Sequence, residues 1–167
     1  MKNYNFILKR RSIRKYKDKK IPKSDIKLIL EAARHAPEPY DYATWRLVLI
    51  DDRELIKKIT NISGGQNWVN ESALIIVGAI TPLKGTLKWK TIDITIALQN
   101  MVLMAEALGY GSCWVGYFKE NKLKELLNIP ENHNVLAYIT LGFKDEEPKK
   151  RNYENIEDLI FNNKFNT

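Results

Sequence analysis

The sequence predicts an α+β domain of four core strands with helices packed on them. Three observations carry that expectation. Four apolar runs of strand length recur along the chain, and the second is β-branched in Ile75, Ile76 and Val77. Segments with a helical apolar period lie between them, with no repeat, low-complexity tract or linker. The length of 167 residues, with 44% hydrophobic and 28% charged residues, suits one domain over residues 1–167 with a full core.

The elements follow in order. Residues 2–9 predict a short helix leading into Arg10, Arg11 and Arg14. Ser24 reads as the N-cap of a helix reaching His35, with Ile26, Ile29, Leu30 and Ala33 on one face. Pro37 and Pro39 end it and open a loop over 37–44. Trp45 to Ile50 is a strand, and Asp52 after it can cap a helix carrying Leu55, Ile56 and Ile59. Ser63-Gly64-Gly65-Gln66-Asn67 marks a turn-rich loop over 61–70. Ala73 to Ile80 is the second strand, and Pro82 and Gly85 break the chain after it. A long helix from about Thr91 to Leu108 is apolar over most of its surface, which predicts a central helix, with Gly109 ending it. Ser112 to Phe118 is a third strand, Glu120 to Leu127 a short helix and Val135 to Phe143 a fourth strand. The polar tail, 144–167, carries a short helical pattern near Ile156 to Phe161.

Charge narrows the function. The net charge is +7, and residues 9–23 hold nine Lys/Arg against the single acid Asp18. A local excess of this kind points to an anionic ligand. Guanidinium suits phosphate because its planar fork donates two parallel hydrogen bonds, so Arg10, Arg11 and Arg14 around Ser12 form a candidate anion site. Lys149-Lys150-Arg151 is a second cationic group able to close on the same phosphate. A solvated basic face is the alternative. A nucleic-acid-binding domain is a further one, but only Tyr16 interleaves with the patch and no nucleic-acid motif accompanies it.

Other chemistry finds little support. The one cysteine, Cys113, sits among small and apolar neighbours and reads as buried and structural, which fits a reducing, cytoplasmic setting. No apolar run approaches the length of a membrane span, and no signal peptide is expected. His35 and His133 lack metal-ligand spacing, so no metal site is expected. No dinucleotide fingerprint, P-loop or nucleophile elbow is present. Glu38 and Asp41 share one loop, either as an acid/base pair or as loop acids that cap backbone or meet basic side chains. Gly109, Gly111 and Gly116 let a backbone or a flat ligand approach, or serve tight helix–sheet packing.

Four segments in order resemble the nitroreductase family of flavoproteins. They are Arg10-Arg11-Ser12-Ile13-Arg14-Lys15-Tyr16, Ala36-Pro37 with Trp45-Arg46, the stretch from Ala105 to Phe118, and Leu141-Gly142-Phe143 with Pro148-Lys149-Lys150-Arg151. The resemblance implies a mixed β-sheet flanked by helices, FMN as cofactor and NADH or NADPH as co-substrate. It implies reduction of small acceptors such as nitroaromatics or quinones, with the flavin carrying the chemistry and no catalytic side chain. It also implies a homodimer with flavin at the subunit interface. A flavin-binding protein of the same fold without turnover is the alternative.

By the same resemblance, Arg10, Arg11, Ser12 and Arg14 hold the FMN phosphate and ribityl, with Lys149 and Arg151 completing the phosphate site. Gly116 and Tyr117 face the flavin N5/O4 edge, and Gln66 or Asn67 meets the pyrimidine edge. Glu38, Tyr40 and Asp41 line the substrate side, where the family pattern has neutral side chains in place of the two acids. Only about ten residues, 81–90, join the second strand to the long helix, which implies a more open pocket or one covered by the partner.

Overall fold

The computed structural model describes residues 5–39, 43–83, 85–149 and 152–165. The elements are α1 (Asn5–Lys9), β1 (Tyr16–Lys17), α2 (Lys23–Arg34), β2 (Trp45–Ile50), α3 (Arg53–Asn61), β3 (Leu74–Ile80), α4 (Leu87–Ala107), β4 (Tyr110–Val115), α5 (Glu120–Leu126) and β5 (Asn134–Lys144). Two 3₁₀ turns, Asn67–Glu71 and Ile156–Leu159, complete the set.

β5 is the central strand. β3 and then β1 pair along one edge of it, β4 pairs along the other, and β2 lies outside β3. Every ladder is antiparallel, and the mixed character lies in one parallel bridge between Ser12 and Ser112. β3 is buried along its whole length because both faces of the sheet are covered. Alternate residues face opposite sides. Leu74, Ile76, Ile139 and Leu141 meet Ile29 and Ala33 of α2 and Ile94, Leu98 and Met101 of α4. Ile75, Val77 and Tyr138 meet Ile56 and Ile59 of α3, Val69 of the first 3₁₀ turn and Leu123 of α5.

The helix signals hold with two corrections. Asp52 caps α3, its Oδ1 accepting from the Leu55 N–H at 2.8 Å. Ser24 does not cap α2: the helix begins two residues earlier than that cap implies, at Lys23 behind Pro22, whose fixed φ suits that position, and the Ser24 hydroxyl donates to Asp25. α4 starts a turn before the expected Thr91. Lys90 is buried and donates to the carbonyls of Thr81 and Leu83, both at 3.0 Å. Neither β1 nor the 3₁₀ turn over Asn67–Glu71 was expected as an element.

The segment from Ser12 to Tyr16 is a strap across the sheet. It starts at the free edge of β4, where the Ile13 N–H donates to the Ser112 carbonyl at 2.9 Å. It then crosses the α3 and α5 face diagonally and joins β5 on the far side, pairing Tyr16 with Lys144. The crossing passes over Gly111 and Gly142, which are paired directly. A Cβ on Gly111 would sit 2.9 Å from Ile13, and one on Gly142 2.7 Å from the Tyr16 ring. The two glycines therefore make room for the strap, whose Tyr16 hydroxyl hydrogen-bonds the Ile13 carbonyl at 2.6 Å and Thr140 Oγ1 at 2.8 Å.

Candidate functional site

The strap fixes the basic motif in space. Arg10 and Arg14 both act on Cys113 of β4: burial pushes this thiol up, while Arg14, a hydrogen bond with Ser12 and Arg10 pull it back. Arg14 also lies over the Trp68 ring, with its Cζ 5.7 Å from the centroid. Among the described residues neither guanidinium makes a hydrogen bond or ion pair, so the donors of both are unspent. Arg11 is arranged differently. Its Nη1 donates to the carbonyls of Leu8 and Arg10, and its guanidinium lies 5.9 Å from the Tyr153 ring.

The far end of β4 supplies the rest. Gly116 is exposed, and a Cβ placed there would meet nothing within 4 Å. Tyr117 is 75% exposed, and its ring packs on Gly64, whose φ of +60° and close ring contact both call for glycine. Gln66 ties the two loops together, its Nε2 donating to the carbonyls of Tyr117 and Ser63, both at 2.9 Å. Both amide protons are thus spent, and the side-chain oxygen is what Gln66 can still offer. Asn67 opens the 3₁₀ turn beside it. Ser12 bridges Ser112 near the start of β4, Arg14 lies over Trp68 of the 3₁₀ turn, and Gln66 holds Tyr117 just past the end of β4, so these contacts follow β4 as a strip.

A model of the nitroreductase family matches residues 7–80 and 84–143. The chain belongs to the nitroreductase family. A protein of Archaeoglobus fulgidus named as an NADH dehydrogenase/NAD(P)H nitroreductase is 40% identical over 147 residues, 84% of each chain. Among solved structures, an FMN-dependent nitroreductase from Clostridium difficile R20291 superposes with a TM-score of 0.83 at 31% identity, covering 96% of this chain and 98% of that one. An NADPH:FMN oxidoreductase from Vibrio harveyi complexed with NAD+ gives 0.90 at 25% identity, covering 98% of this chain and 77% of that one. The α+β architecture, a sheet flanked by helices, is that of the nitroreductase structures.

In this family member the match ends at β5, before the second cationic motif. The tail nonetheless returns to the strap. The Asp145 N–H donates to the Lys15 carbonyl at 3.0 Å, their side chains pair at 3.8 Å, and Glu146 Oε1 accepts from the Arg14 N–H. Lys149 follows at an exposed position, while Lys150 and Arg151 lie outside the described residues. Tyr40 and Asp41 lie outside them too. Glu38 holds its own loop: Oε1 accepts from the Ala43 N–H at 2.8 Å, and Oε2 is buried without a partner among the described residues. Of the two readings of this acid, the loop cap is the one with a bond behind it.

The sequence reading missed Trp68 and Glu146. Trp68 sat in a loop without period, and its signal was the Gln66-Asn67 pair two residues before it. Glu146 had no local signal, since its partner Arg14 is 132 residues away.

Proposed function

We propose that this chain is an FMN-dependent NAD(P)H oxidoreductase that reduces small acceptors of the nitroaromatic or quinone type, with residues 1–167 as one domain. The observation that carries the reading is the pair of guanidiniums, Arg10 and Arg14, without a hydrogen bond or ion pair among the described residues, at one end of a strip whose other end is open backbone at Gly116. The donor set fits FMN: a phosphate dianion suits two guanidiniums and a hydroxyl, and a flat ring suits a glycine with open space before it. Bound FMN supplies the hydride chemistry between NAD(P)H and the acceptor.

The chain's residues bind and orient. Arg10, Ser12 and Arg14 hold the phosphate end, with Lys149 and Arg151 adding charge from the tail. The Gln66 oxygen, or Asn67 beside it, accepts from the pyrimidine edge. The Gly116 backbone faces the reacting edge, and the exposed Tyr117 ring borders the acceptor's approach. The 3₁₀ turn and Trp68 keep Arg14 in place.

The working unit is a homodimer. Trp89 and Ile92 on α4 are exposed, as are Tyr153, Ile156, Leu159, Ile160, Phe161 and Phe165 of the tail, and such a surface suits cover by a second copy. The setting is the cytoplasm, in keeping with a single, buried cysteine. Among the described residues no helix is long and apolar enough to cross a membrane.

The deciding experiment is spectroscopic. The purified protein carries a flavin absorbance that NADH or NADPH bleaches without oxygen and that a quinone or nitroaromatic restores. Binding of FMN without bleaching by either nucleotide overturns the enzymatic reading and leaves a flavin binder.

A further inference from the structure

The tail brings a carboxylate into the cationic strip. Glu146 Oε1 accepts from the backbone N–H of Arg14 at 2.5 Å, in the middle of the strap. Its charge reaches Cys113 and Tyr16, where it acts against Arg14. Glu146 is exposed, so its side chain rotates at little cost, while the backbone just before it is pinned by the Asp145–Lys15 contacts. This acid serves no helix cap and makes no ion pair among the described residues. Fold stability alone gives little reason for an acid at this point of a basic segment.

We infer that Glu146 is a built-in anionic competitor for the flavin phosphate: its carboxylate claims the Arg14 amide and the surrounding positive potential until a phosphate displaces it. The inference rests on reading this strip as the FMN site. Two anions within a few ångströms of each other repel whether or not they share a donor. Glu146 therefore weakens a flavin that carries phosphate and leaves one without phosphate untouched. The cofactor is held exchangeably, and the acid sets how readily it leaves.

The test compares full-length wild type, Glu146→Gln and Glu147→Gln. Each is loaded with FMN or with riboflavin and serially diluted, and free-flavin fluorescence gives the dissociation constant. Glu147, the next residue, has no hydrogen bond or ion pair among the described residues and serves as the control. Glu146→Gln is expected to tighten FMN by about 5- to 30-fold, with the gain shrinking at high salt. Riboflavin affinity should stay within about twofold, and Glu147→Gln should match wild type for both ligands. Equal tightening of both flavins, or no tightening of FMN, overturns the competitor role and leaves the FMN site standing. A wild type that binds neither flavin overturns the site reading, and the inference falls with it.

Discussion

Glu38 spends its charge on its own backbone. The bond to the Ala43 N–H closes a loop whose last turn has Ala43 at a φ of 45°, a conformation that costs an alanine energy. Glu38→Ala should therefore lower stability by about 1–2 kcal/mol, and Glu38→Gln, which keeps an acceptor oxygen, should recover most of it. Thermal midpoints of the three proteins check this. Buried phenols give a second expectation. Burial pushes Tyr138 up to about 12, with Ser63 pulling it partly back, and burial together with Asp25 pushes Tyr110 up to about 12. A folded pKa above the unfolded value of about 10 favours the neutral form in the fold. The stability it contributes is complete below pH 10 and is lost as pH rises toward 12. Thermal midpoints of wild type should fall across that window, and those of Tyr138→Phe should fall less steeply.

At the scale of elements, the strap over Gly111 and Gly142 controls the site. Gly142→Ala places a methyl 2.7 Å from the Tyr16 ring and lifts the strap. The expected cost is about 1–3 kcal/mol in stability, with weaker FMN binding as Arg14 moves off Trp68. Denaturant melts and flavin release check both parts. The sequence showed the strap's residues but not the strap. Strands β2 to β5 and helices α2 to α5 were legible because apolar period or β-branched runs announce long elements. β1 has two residues and therefore no period, and it forms only because the end of β5 extends beyond β3. The three-glycine junction was legible as a place of close approach, but what approaches Gly111 is Ile13, about a hundred positions earlier. Arg10 and Arg14 could be picked out by charge, and Ser12 by its place between them. That Arg11 turns to the Leu8 and Arg10 carbonyls depends on how α1 ends, which charge does not encode.

For the whole molecule, the exposed apolar side chains of α4 and the tail predict association. Sedimentation should give twice the 19.4 kDa of one chain, and Ile92→Asp, a charge placed on the exposed face of α4, should shift the balance toward the single chain. A monomeric wild type that retains flavin would remove the shared-interface model. The diagonal path of the strap also fixes an order of events during synthesis. Residues 10–16 leave the ribosome early, yet the surface they lie on is made of Gly111, Thr140 and Gly142. On the proposed site, the phosphate grip has no floor until β4 and β5 have been made and paired, so cofactor loading follows formation of the sheet and cannot guide the early collapse of the chain.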